Sequence, residues 1–187
     1  MNGIQKFFED LKTVDEPVNE GREVADAALS NGGAEDIITA LKEAYAEEVE
    51  AYYQYNIVKN FIRGNERSAL EDVIGDNASD ELDDHSQLLL SRIDELGGNI
   101  DTIDDFNELS VIITPGHEFI VPKRPYKVAS IIKDNIRGEK NAIATYKALA
   151  ELALGYKDYK TYDMAKDILG DEEAHLNALE NLLCDVL

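Results

Sequence analysis

Proline is confined to four positions in this chain of 187 residues: Pro17, Pro115, Pro122 and Pro125. Residues 18–114 and 126–187 therefore hold none, and nothing in either stretch forces a helix to break. Glycine divides them further. Gly64 with Asn65 is expected to split the first stretch, and Gly155 the second. The result is four expected helices: A over 34–63, B over 66–96, C over 125–154 and D over 157–186. Gly97-Gly98 gives B a firm stop, and Pro125 suits the first turn of C. Gly75, Gly138 and Gly170 fall inside helices, each at a cost of about 1 kcal/mol relative to alanine.

Apolar residues follow the helical period. A carries Leu41, Tyr45, Val49, Tyr52, Tyr55, Val58 and Ile62; D carries Ala165, Ile168, Leu169, Leu176, Leu179 and Leu183. Short joints make A–B and C–D antiparallel hairpins. Residues 97–125, with their glycines and prolines and a short helical pattern over 104–109, form the long connection between B and C. A 30-residue helix is about 45 Å long, and a segment of that size can run back along it. Short, long, short is a four-helix bundle with one crossover, so the expected class is all-α. Residues 1–33 are read as an extension, with Ile4, Phe7, Phe8 and Leu11 marking a short amphipathic helix, and 34–187 as the bundle.

Polar residues interrupt these stripes in a pattern. Helix D has Glu172 and His175, three apart on the apolar face. Helix B has Glu81 and His85, four apart, among Ile74, Ala78, Leu88 and Leu89. Helix A has Glu48 and helix C has Glu139, the latter among Ile132, Ile136, Ile143 and Tyr146. The midpoints of the four helices fall at about 48, 81, 140 and 172, so the four acids share one level of the bundle. Four carboxylates cannot share a dry interior without cations. Oxygen and imidazole donors without thiolate suit iron, with manganese as the alternative. One Glu from each of two helices plus Glu and His from each of the other two is the donor pattern of di-metal carboxylate bundles. The plain alternative is a structural bundle whose Glu and His form buried pairs and bind no metal.

The four-residue step from Glu81 to His85 departs from Glu-x-x-His. A π-helical turn would bring both inward; Asp84, three from Glu81, is the competing donor. Tyr52, Tyr55 and Tyr146 lie on the stripes, where core packing competes with hydrogen bonding to a ligand or electron donation. Arg92 either offsets carboxylate charge near the cluster or forms an ordinary ion pair. His117 is read as a surface or packing histidine. Cys184, the single cysteine, is read as a buried apolar group and excludes any internal disulfide.

The formal charge is −21, from 39 acidic and 18 basic residues. That opposes direct binding to DNA, and the first 33 residues offer Lys6, Lys12 and Arg22 against seven acids. Acidity suits cation handling or the solubility of a large assembly. No apolar run is long enough for a membrane helix. The opening MNGIQKFFEDLK is charged where a signal peptide is apolar, so the expected location is the cytoplasm.

Over 34–186 the chain resembles the ferritin-like superfamily, and within it the archaeal-type Dps-like ferritins with a bacterioferritin-like di-iron site. The segments that carry this are EEVEAYYQY at 47–55, ELDDHSQLLLSRIDELGG at 81–98, GEKNAIATY at 138–146 and KDYKTYDMAKDILGDEEAH at 157–175. The resemblance implies a ferroxidase that oxidises Fe(II) with hydrogen peroxide or dioxygen and stores the product in a homo-oligomeric shell, often of twelve subunits. It implies two irons per subunit on Glu48, Glu81, His85, Glu139, Glu172 and His175, with Glu81 and Glu172 bridging. Relatives of this type carry a cysteine pair near the crossover and helix C; this chain has none there, which argues against thiol-coupled chemistry. A di-manganese catalase or di-iron peroxidase is the rival on the same donors.

Overall fold

The computed structural model describes residues 33–61, 67–100 and 128–186. Helix α1 covers Gly33–Phe61 and α2 covers Arg67–Ser79. A π-helical turn over Asp80–His85 follows, and α3 over Ser86–Glu95 continues it without a break. Helix α4 spans Val128–Tyr156 and α5 spans Tyr159–Val186. Helix A is thus α1, B is α2 with the π turn and α3, C is α4 and D is α5. Residues 1–32, the A–B joint at Gly64-Asn65, His117 and the 104–109 pattern lie outside the described residues.

Two apolar clusters show how the rods are arranged. In one, Ile37, Leu41 and Ala44 of α1 meet Leu89 and Ile93 of α3, Tyr146, Leu149 and Ala150 of α4, and Ala165 and Ile168 of α5. In the other, Tyr55 and Val58 meet Leu70, Ile74 and Ala78 of α2, Ile131 and Ile132 of α4, and Leu179 and Leu182 of α5. The start of A therefore lies beside the ends of B and C, and each neighbouring pair is antiparallel. Ile100 packs at the first cluster and Val128 at the second, so the chain leaves B at one end of the bundle and enters C at the other. This is the expected all-α bundle with one crossover.

The helix ends are fixed by local chemistry. Gly97 takes φ +80°, and its N–H bonds the Asp94 carbonyl while Gly98 N–H bonds that of Ile93. That pair of bonds is a Schellman stop. The C–D joint corrects an expectation. Helix α4 runs through Gly155 to Tyr156, and the same stop is built on Lys157 at φ 62°. Lys157 N–H bonds the Leu154 carbonyl and Asp158 N–H that of Ala153. Gly155 meets no close neighbour and stays helical; the left-handed position two residues on, not the glycine, ends the helix. Asp158 then caps α5, accepting from Thr161 N–H at 3.1 Å and Thr161 Oγ1 at 2.5 Å. Arg92 grips the Asp158 carboxylate through Nη2 at 2.8 Å to each oxygen and gives Nε to Thr161 Oγ1. Arg92 is thus an ion-pair clamp at the bundle end.

Two further readings change. Leu88, placed on the inner stripe of B, is 48% exposed, because the π turn moves the register behind it and Leu89 takes the core position. Cys184 is exposed, not buried.

Candidate metal centre

Between the two apolar clusters lies a polar layer. Glu48, Glu81, His85, Glu139, Glu172 and His175 are all buried, none more than 5% exposed. All six residues singled out in the sequence converge, one or two from each helix. Asp84, the competing donor on B, points to solvent. The π turn accounts for this: it spans the four-residue step so that Glu81 and His85 both face inward.

The imidazoles sit side by side, with ring centroids 6.0 Å apart. His85 Nδ1 lies 3.1 Å from Glu172, 3.4 Å from Glu48 and 3.7 Å from Glu81. His175 Nδ1 lies 3.5 Å from Glu81, 3.7 Å from Glu172 and 3.9 Å from Glu139. The donors fall into two sets, Glu48–Glu81–His85–Glu172 and Glu81–Glu139–Glu172–His175, each with one donor atom per residue within 4.8 Å of the others. Glu81 and Glu172 belong to both.

The surroundings are reciprocal. The Tyr146 hydroxyl on C donates to Glu48 Oε1 on A, and the Tyr55 hydroxyl on A donates to Glu139 Oε1 on C. Asn77 Nδ2 supports the Tyr55 hydroxyl at 3.3 Å. The outer nitrogen of His85 faces Asp171 of D at 3.4 Å, and that of His175 faces Asp80 of B at 3.0 Å. Sequence reasoning did not identify these aspartates; their signal was the Asp-Glu pair that opens both motifs. Tyr55 and Tyr146 are therefore core residues that also hydrogen-bond the cluster, whereas Tyr52 packs at the edge of Tyr53.

Burial pushes Glu48 and Glu139 well above the carboxylate range, aided by repulsion from Glu81 and Glu172 respectively. Burial would also raise Glu81 and Glu172, but close contacts with the two imidazoles, and for Glu81 with Glu48, outweigh it. They hold Glu81 down at about 2 and Glu172 below its ordinary value. The same contacts overcome burial of the imidazoles, raising His85 far above its usual range and His175 to about 11.

Glu48 Oε2, both oxygens of Glu172, and Nδ1 of His85 and of His175 are buried without a hydrogen-bond partner. Five such atoms aimed at one volume are costly unless something else satisfies them, and their chemistry is that of a divalent cation site with O and N donors. A cavity of about 70 Å³ runs between α1 and α4 to this layer, passing Glu47, Glu50, Gln54 and Asn135 and reaching Glu48, Glu139 and Glu172.

The fold and this layer together define a ferritin-type four-helix bundle with a central carboxylate–histidine cluster. The chain belongs to the ferritin-like domain family, whose profile matches residues 38–186. It is 33% identical over 150 residues to a DNA protection during starvation protein of Pyrococcus furiosus, covering 80% of this chain and 77% of that one. Among solved structures it is similar to a dodecameric thioferritin, the bacterioferritin-related protein of Bacteroides fragilis. That likeness has TM-score 0.76 and 30% identity, over 90% of this chain and 94% of the other. The bacterioferritin of Desulfovibrio desulfuricans shares the fold, with TM-score 0.69 at 22% identity over 83% of this chain and 82% of that one. Among the described residues no helix is long and apolar enough to cross a membrane.

Proposed function

We propose that this chain is a ferroxidase and iron-storage subunit that takes up two Fe(II) ions in its polar layer and oxidises them to Fe(III). The observation that carries the reading is the pair of donor sets sharing Glu81 and Glu172, with unpartnered oxygen and nitrogen atoms aimed between them. The shared carboxylates are the natural bridges. Glu48 and Glu139 are terminal: a tyrosine holds one oxygen of each, leaving the other for the metal. Asp171 and Asp80 orient the imidazoles so that Nδ1 points at the metal, as outer partners of metal-bound histidine do.

Each Fe(II) gives up one electron. Two held side by side supply the two electrons that convert hydrogen peroxide to water, or dioxygen to hydrogen peroxide, with two protons taken up in either case. Metal binding displaces protons from the layer to solvent, and the two protons consumed with the oxidant come from solvent in turn. Membership of the family and likeness to a dodecameric relative support assembly into a homo-oligomeric shell, and a charge of −21 suits the gathering of cations. That charge also argues against direct DNA contact.

Anaerobic Fe(II) titration of metal-free protein, followed by peroxide, tests this. Saturation at two irons per chain, fast ferric absorbance and a soluble iron-filled particle are expected. No binding would leave a structural bundle. Oxidation without retained mineral, or peroxide turnover with manganese, would make it a small di-metal enzyme.

A further inference from the structure

Helices B and D supply the same pair, Glu and His, but at different spacing. On an α-helix three residues fall about 60° short of a full turn and four pass it by about 40°, so Glu81–His85 and Glu172–His175 should not present alike. Yet Nδ1 of each histidine lies 3.7 Å from the glutamate of its own helix. The π turn produces this match, and π turns are rare, mostly single-turn interruptions of an α-helix. Something must hold this one.

Ser86, the residue that ends it, is 3% exposed, buried on the inner face of helix B. Its backbone N–H bonds the Glu81 carbonyl, the five-residue step that defines the turn. Its hydroxyl donates to the same carbonyl at 2.6 Å. In a regular helix a serine hydroxyl bonds back four residues; here it reaches back five and adds a second donor to the wide register.

We propose that Ser86 is a positioning residue for the cluster: its hydroxyl holds the Glu81 carbonyl, and with it the π turn that puts Glu81 and His85 on one face. This rests on reading the layer as a two-metal site. Without the hydroxyl the turn relaxes toward α geometry and His85 leaves its set. The set containing His175, built on unbroken α5, loses only the alignment of Glu81.

Anaerobic Co(II) titration of the full chain, read by visible absorption, tests the proposal with wild type, S86A, S86T, and S86A combined with deletion of Asp83. That deletion writes Glu-x-x-His into B, so an α-helix presents both groups unaided. Wild type should bind two Co(II). S86A should bind one of them at least about tenfold more weakly, with an altered spectrum and faster amide exchange at residues 81–86 of the metal-free protein. S86T, which keeps the hydroxyl, and the deletion variant should recover two Co(II). Wild-type binding and spectrum in S86A would overturn the proposal. So would a loss that neither threonine nor the deletion repairs, including an S86A chain that fails to fold and is not rescued. Wild type that binds no Co(II) would instead overturn the two-metal reading itself.

Discussion

Glu48 and Glu139 are each held by a tyrosine from across the bundle, and each imidazole by an aspartate from the facing helix. Substitutions should therefore act unequally. E172A removes a member of both donor sets and should abolish stoichiometric binding of both metals, whereas E48A should leave one; metal analysis after dialysis reads the difference. Metal uptake should also depend on pH with a definite sign. Glu48 and Glu139 are raised by burial, and both histidines are raised by their carboxylate neighbours. The metal-free layer thus keeps protons that the loaded layer must lose. Affinity should rise with pH, and calorimetric binding enthalpy should vary with the ionisation enthalpy of the buffer. The six residues were legible because charged groups on an apolar stripe demand an explanation. Asp80 and Asp171 were not, since two exposed-looking aspartates acquire meaning only when B and D face each other.

At the level of elements, the C–D joint concentrates the consequences. Lys157 holds a left-handed conformation that costs an L-residue about 1–2 kcal/mol. K157G should raise stability by about 1 kcal/mol by urea unfolding. D158N keeps a capping oxygen for Thr161 N–H but removes the charge that half-buried Arg92 grips, and should cost about 2 kcal/mol. The Asp158 carboxyl is lowered from 3.8: burial opposes, but hydrogen bonds from Arg92 and Thr161 prevail. Its contribution is therefore present at neutral pH and is lost as pH falls through the lowered folded value, so the gap between wild type and D158N should close below about pH 4. The sequence pointed to a stop at Gly155, because glycine is the usual left-handed residue. A lysine in that role carries no signal of its own. Gly97 did behave as read, and the π turn was one of two readings that the Glu81–His85 spacing left open.

Over the four helices, two apolar clusters enclose the polar layer from both ends, so on the two-metal reading loading should stabilise all four rods together. Loading at a free metal concentration 100-fold above Kd should add about 2.7 kcal/mol per site, seen as a higher Tm that chelation reverses. The bundle and the common level of its acids were legible because proline placement and helical period act over long stretches.

Each donor set draws on both hairpins: the first takes Glu172 from the C–D pair, the second takes Glu81 from the A–B pair. On the two-metal reading the ions are rivets between halves of the chain that one connection joins. A polypeptide cut once between residues 100 and 128 should then migrate as one particle when loaded and come apart more readily when stripped.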